Sequence, residues 1–348
     1  MTADLAGGYD LVVFDLDGVV YLIDKPIAGA AEAVGELRGR KTAVAYATNN
    51  ASRRAADVAA LLTGMGVPAA AAEVLTSAGA AAAVLAEKLP AGSPVLVVGA
   101  DALRDEVREA GLTPVGTAGD EPVAVVQGYG PDVGWRVLTE ASLAVRAGAM
   151  WVATNTDRTL PSPRGPLPGN GSLVAVLRTA LDRDPDLVVG KPGPALFTTA
   201  ASQAHAEHPL VVGDRLDTDI RGAVAAGLDS LLVLTGVSGP ADLLAADESE
   251  RPTFVAADLS GLFRPAADAA VPLAAESAGG WRVDRDGETV TLDGDGEPVV
   301  ALRLLCAATW SGVPVSGIKA ASDAARDLLG VWQVQGDATS ESRQPLTG

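Results

Sequence analysis

A single cysteine, Cys306, stands in this chain of 348 residues, so no intrachain disulfide can form. It lies in the apolar stretch Leu304-Leu305-Cys306-Ala307-Ala308 and reads as inert core. Histidine is nearly absent too. His205 and His208 fall near an expected helix end and are assigned no chemistry. Basic residues are outnumbered, 26 against 44 acidic ones, for a net charge of −18. That balance speaks against binding DNA, RNA or an anionic membrane through bulk electrostatics. No uncharged apolar run approaches the ~18–20 residues of a membrane span. The N-terminus lacks a basic segment followed by an apolar one, so no signal peptide is read and a cytoplasmic protein is expected. No Gly-x-Gly-x-x-Gly follows the first apolar run, which disfavours a dinucleotide-binding oxidoreductase.

What the chain does have is a set of polar motifs, each closing an apolar run. Leu11-Val12-Val13-Phe14 ends in Asp15-Leu16-Asp17-Gly18-Val19. Two carboxylates two residues apart at a strand tip point the same way, and Gly18 lets the backbone turn. Such a pair suits nucleophilic attack by one carboxylate and proton transfer by the other, beside a metal ion. Alone it could also be a helix cap or turn. Ala43–Ala47 ends in Thr48-Asn49-Asn50, where a hydroxyl and backbone N–H groups could hold phosphate oxygens or cap the next helix. Leu187-Val188-Val189 ends in Gly190-Lys191-Pro192, which pins one of only five lysines. Leu210-Val211-Val212 ends in Gly213-Asp214-Arg215-Leu216-Asp217-Thr218-Asp219, whose hard oxygen ligands suit Mg²⁺. Lys191, Arg215, Arg53 and Arg54 are the cations near this edge that could offset the repulsion of an anionic substrate.

All four motifs fall at the carboxyl ends of expected strands, the edge at which open α/β sheets bind ligands. Their types and order resemble the haloacid dehalogenase superfamily of Asp-nucleophile phosphohydrolases. More narrowly, the chain resembles the branch of p-nitrophenylphosphatase-like, phosphoglycolate and glycerol-3-phosphate phosphatases, over residues 10–235. The resemblance implies that Asp15 attacks phosphorus to form an aspartyl-phosphate. Asp17 then protonates the leaving oxygen and activates water. Mg²⁺ would sit on Asp15, the Asp17 carbonyl and Asp214. Thr48, Asn49 and Lys191 would hold phosphoryl oxygens, while Asp219 orients metal-bound water or Lys191. The expected substrate is a small phosphorylated metabolite, with glycerol 3-phosphate favoured over phosphoglycolate, pyridoxal and sugar phosphates. A phosphotransferase or mutase, and a non-catalytic binding protein, are the other readings. A phosphorylated receiver module is disfavoured because the second acidic cluster follows Lys191.

Alternating strand and helix patterns predict an α/β fold with a Rossmann-like parallel-sheet core, residues 1–79 and 186–268. Residues 80–185 carry their own strand–helix alternation and read as an inserted α/β unit. The resemblance makes it a cap that closes over the site. Its long loop Asn155–Gly171 holds four prolines, and Asn155 and Asp157 are the candidates for substrate specificity. The helix after it is expected from Ser172. Caps in this branch often mediate homodimers, so a homodimer is compatible with the sequence. Residues 269–348 read as a small α+β extension without a catalytic constellation. It contains a hairpin around Asp286-Gly287, a strand or helix at 299–310, a helix at 319–329 and a frayed end at 335–348.

Overall fold

The computed structural model describes residues 4–23, 25–273 and 275–334. The expected fraying at 335–348 lies outside the described residues. Three sheets organise the chain. The first is a six-stranded sheet in the order Phe254–Ala256, Asp229–Val233, Pro209–Gly213, Leu11–Phe14, Ala43–Thr48 and Val74–Thr76. Every neighbouring pair in it is parallel. Its two central strands are fully buried, as their unbroken apolar runs require in a sheet covered on both faces. Phe14 stacks on Tyr46 across neighbouring strands, with ring centroids 6.2 Å apart. The chain reverses its direction of travel across the sheet between Leu11–Phe14 and Pro209–Gly213. That switch point opens the crevice beyond their carboxyl ends.

The second sheet is also parallel, in the order Leu187–Val188, Met150–Ala153, Ala124–Gln127, Pro94–Val98 and Thr113–Val115. Helix Ser77–Lys88 packs on this sheet through Ala78, Ala81 and Leu85. Two details differ from the sequence reading. Leu187–Val188, expected to resume the core, instead pairs with Met150–Ala153 as an edge of the second sheet. An apolar pair has no label for which sheet it joins, so the return to the core comes only at Gly190. The loop from Asn155 also contains a short ribbon, Thr159–Leu160 paired with Leu167–Pro168. The helix after it begins at Asn170, not Ser172.

The third sheet belongs to the extension: Ser277–Ala278, Trp281–Asp286, Thr289–Gly294 and Gly317–Ala320. The hairpin is where it was expected, but its turn is Gly287-Glu288, because Asp286 still pairs with Thr289; Gly287 takes a positive φ. The stretch expected as strand or helix at 299–310 is helical as Pro298–Thr309, with Trp310 just past its end and Pro298 at the first turn where its missing N–H costs nothing. The expected helix at 319–329 splits into strand Gly317–Ala320 and helix Asp323–Val331, with Ser322 capping the helix by accepting from Ala325 N. Among the described residues no helix is long and apolar enough to cross a membrane.

Candidate active site

Asp15 and Asp214 follow the two strands that flank the switch point, and Lys191 joins them from the returning chain. All three are buried. The Lys191 ammonium donates to Asp15 Oδ1, to Asp219 Oδ1 at 2.6 Å and to the Ala47 carbonyl at 3.1 Å. Its three hydrogens are therefore committed, and its first job is to fix and neutralise the Asp15 carboxylate. Burial alone would lower the Lys191 ammonium. The Asp15 and Asp219 charges more than reverse this and hold it protonated well above the ordinary lysine range. Burial pushes the Asp15 carboxyl up. Lys191 pulls against that push, while Asp219 and Asp214 add to it.

Both oxygens of Asp219 are engaged as well. Its Oδ2 accepts from the Asp214 and Arg215 N–H groups at 3.3 and 3.1 Å. Asp214 is different. Its Oδ2 accepts from Val237 N at 2.7 Å, but its Oδ1 is buried with no partner among the described residues. Burial and the neighbouring Asp219 push this carboxyl up to about 7. A buried orphan carboxylate oxygen is costly unless a cation meets it. Oxygens of Asp15, Asp214 and Asp219 all lie within 4.8 Å of one another. This hard, all-oxygen set fits a small divalent cation. Space around it is shaped by glycine. A Cβ on Gly236 would lie 1.9 Å from Asp214 Oδ2, and Gly18 combines a φ of +88° with a Cβ position 2.4 Å from the same oxygen.

Asp17 is partly buried at the mouth of this cluster. Burial pushes its carboxyl up to about 6, against the pull of Lys191 and Arg53; Asp157 adds to the rise. A carboxyl poised there can give and take a proton near neutral pH. Thr48 Oγ1 accepts from Asn50 N at 3.1 Å, and its O–H proton is still available to donate.

The structure redistributes the remaining sequence candidates. Asn49 was expected on phosphate, but its carboxamide is used up. Nδ2 donates to Lys191 O at 3.0 Å and to Asp157 Oδ1 at 3.1 Å, and Oδ1 accepts from Lys191 N at 2.8 Å. Asn155 was expected to meet the leaving group. Its Nδ2 instead donates to Asn49 O at 2.6 Å, and its Oδ1 accepts from Asp157 N at 3.2 Å. Both amides tie the two chain crossings between the sheets, where buried main-chain groups demand partners. Of Asn155 and Asp157, only Asp157 places a carboxylate near Asp17 and Lys191. Burial raises that carboxyl, opposed by Arg215, Lys191 and the Asn49 hydrogen bond. Arg54 leaves the site altogether and pairs with Glu109 and Glu106 on helix Asp101–Glu109. Arg53 stays exposed beside Asp17.

Sequence reasoning missed two supports. Ser77 Oγ donates to Asn49 O at 2.6 Å. Thr235 Oγ1 donates to Gly18 O at 2.6 Å, two residues before Val237 reaches Asp214. The signal for the second was present: Leu231-Leu232-Val233-Leu234 is one more apolar run ending in polar and small residues.

Comparison with known proteins agrees with this geometry. Residues 12–113 match a family model described as haloacid dehalogenase-like hydrolase, and residues 188–262 match a second, HAD-hydrolase-like model. Residues 278–334 match a model described as a GCN5-related N-acetyltransferase-like domain. The chain is 48% identical over 293 residues to a D-glycerol 3-phosphate phosphatase from Mycobacterium tuberculosis, covering 84% of this chain and 81% of that one. A crystal structure of a glycerol phosphate phosphatase from the same organism, in complex with magnesium, superposes with a TM-score of 0.88. It is 44% identical and covers 96% of this chain and 100% of its own. A 4-nitrophenylphosphatase from Thermotoga maritima gives a TM-score of 0.68 at 30% identity, covering 74% of this chain and 97% of its own. The chain thus belongs to the haloacid dehalogenase-like hydrolase family, as a Mg²⁺-dependent phosphoric monoester hydrolase.

Proposed function

We propose that the chain hydrolyses glycerol 3-phosphate, with Asp15 as nucleophile and Asp17 as general acid and base. The observation that carries the mechanism is the Asp15 carboxylate fixed by Lys191 beside the orphan oxygen of Asp214. Asp15 is oriented through Oδ1, which leaves Oδ2 to attack phosphorus. As that bond forms, the bond from phosphorus to the ester oxygen breaks, and Asp17 gives its proton to the departing alkoxide. Asp17, now a carboxylate, takes a proton from water. The water oxygen attacks phosphorus and releases Asp15 and inorganic phosphate.

Mg²⁺ would be held by Asp15 and Asp214, with the Asp17 carbonyl, and supplies positive charge against the phosphoryl oxygens. Charge dictates the need. Four carboxylates and a dianionic ester outweigh one lysine and one divalent ion, so Asp17 must carry its proton in the first step. Thr48 O–H and the main-chain N–H of Asn49 are the donors assigned to phosphoryl oxygens, since Asn50 N–H is held by Thr48 Oγ1.

The substrate reading draws on the glycerol-phosphate-hydrolysing relative and on one side chain. Asp157 faces the crevice from the cap loop, and a carboxylate there accepts hydrogen bonds from the hydroxyls of a polyol. The same carboxylate repels the carboxylate of phosphoglycolate, which ranks that ester lower. Residues 80–185 act in this proposal as the cap over the site. Phosphate release from glycerol 3-phosphate, phosphoglycolate, pyridoxal phosphate and sugar phosphates, with Mg²⁺ and with Asp15→Asn as control, tests both parts. Preferential release from glycerol 3-phosphate that disappears in the variant is expected. Release that persists in Asp15→Asn would overturn the mechanism, and preference for phosphoglycolate would overturn the substrate.

A further inference from the structure

The extension shares an apolar core with the acidic loop of the active site. One buried cluster contains Leu216 and Ile220 of that loop, Leu243 of helix Pro240–Leu244, and Trp281, Leu302 and Leu305 of the extension. Packed interiors transmit displacement because they have little free volume. The question is which contact carries it to Asp214.

The connection runs through residues 235–244. At the site end, Thr235 Oγ1 holds Gly18 O, and Val237 N holds Asp214 Oδ2. Ser238 N donates to Asp214 O at 3.0 Å, and Ser238 Oγ accepts from Leu216 N at 3.0 Å. At the far end, helix Pro240–Leu244 packs on helix Pro298–Thr309 of the extension. There Trp310 Nε1 donates to Leu243 O at 3.2 Å, a carbonyl at a helix end that also accepts from Ala246 N. The Trp310 ring is itself fixed, with the Arg251 guanidinium carbon 5.0 Å from its centroid.

We propose that Trp310 is a positioning residue for the metal site. By holding Leu243 it fixes the 235–244 segment, and that segment fixes the carboxylate of Asp214 from behind. The extension thereby tunes Mg²⁺ affinity without contributing a ligand. The inference rests on the assignment of Asp214 as a metal ligand.

Titration calorimetry of the full chain with Mg²⁺, beside thermal melts in EDTA, tests it. Trp310→Phe keeps an aromatic ring under Arg251 but loses the N–H and the larger ring system; Trp310→Ala removes the ring altogether. Outer partners of metal ligands typically change affinity by ~10–100-fold, and one layer further out about threefold to tenfold is expected for Trp310→Ala. Trp310→Phe should fall between it and the wild type. In both variants, kcat should return toward the wild-type value at saturating Mg²⁺, with KM for the ester unchanged. Trp135→Ala, which removes an 80% exposed tryptophan on the second sheet's helix Trp135–Arg146, should bind Mg²⁺ as the wild type does. A merely structural Trp310 would lower the melt in EDTA and leave Mg²⁺ affinity untouched, and that result overturns the inference. If Trp310→Ala does not fold, Trp310→Phe decides alone. A wild type that binds no Mg²⁺ would overturn the metal assignment and this inference with it. Unaltered affinity in variants of a binding wild type would overturn this inference only.

Discussion

Two parallel sheets in this protein end in polar carboxyl edges, and the edges are built from different chemistry. The core edge buries charge: Asp15, Lys191, Asp214 and Asp219. The edge of the second sheet buries neutral groups: Gln127, Thr154, Asn155 and Asn170. Gln127 Oε1 accepts from Trp151 Nε1 at 3.0 Å, and Asn170 Nδ2 donates to Asn155 O at 2.7 Å. Buried charges need a counterion and change with pH, metal and substrate. Amides hold one geometry whatever the site is doing. In the proposed mechanism the difference separates two jobs: the core edge reacts, and the amides of the opposite edge hold the chain crossings in register.

The strongest challenge to that division removes charge at the core edge. Asp15→Asn is nearly isosteric and should lower kcat by at least ~10⁴, the scale on which single catalytic groups act. Its melt in EDTA should not fall, because an amide is cheaper to bury than a carboxylate. A variant that keeps more than a small fraction of the wild-type rate of phosphate release would place the nucleophile elsewhere. Next in size is Asp214→Ala. Loss of a direct ligand should weaken Mg²⁺ by more than the ~100-fold ceiling of outer partners, read by calorimetry. Retained affinity would mean that the orphan Asp214 oxygen has another purpose.

Asn155→Ala probes the neutral edge. It removes one of two donors to Asn49 O, since Ser77 also reaches that carbonyl. A loss of about 1–3 kcal/mol in denaturant unfolding is expected from leaving buried groups short of partners. A fall in kcat/KM of about one order should accompany it through misplaced crossings. Mg²⁺ affinity should not change, and a large loss of metal binding would erase the distinction between the edges. The smallest effect is on stability at Asp17. Its carboxyl sits at about 6 when folded against an ordinary 3.8, so the folded state is penalised as pH rises from about 4 through 6. Asp17→Asn removes that penalty. In EDTA it should be more stable than wild type by about 1–2 kcal/mol at pH 7, after solvent screening. The gain should vanish near pH 4. An equal gain at both pH values would show that the carboxyl is not perturbed.

Legibility in the sequence divides along the same line. Asp15, Thr48, Lys191 and Asp214 stand out because each ends an apolar run, and a strand's carboxyl end is visible as a change of composition. The roles of Asn49 and Asn155 are not visible. The main-chain carbonyls that their Nδ2 groups meet lie 142 and 106 residues away, and nothing in an asparagine says whether its amide meets a phosphate or a main-chain carbonyl. Leu187–Val188 shows the same limit at the level of the fold, since an apolar pair fits either sheet. The extension was readable as a hairpin with helices, but not its contact with Leu216 and Ile220, because apolar residues carry no address. Alternation of strands and helices foretold the α/β architecture, and the match at the carboxyl edges foretold the family.

The measurement that bears most directly on the account is chemical trapping of the acyl phosphate. Enzyme turning over glycerol 3-phosphate with Mg²⁺ would be quenched and reduced with borohydride, which converts a phosphorylated aspartate to homoserine, and then digested for mass spectrometry. Homoserine at position 15, absent without substrate, is the expected result. Steady phosphate release with no homoserine at position 15, or with it at Asp17 instead, would contradict the assignment of Asp15 as the nucleophile.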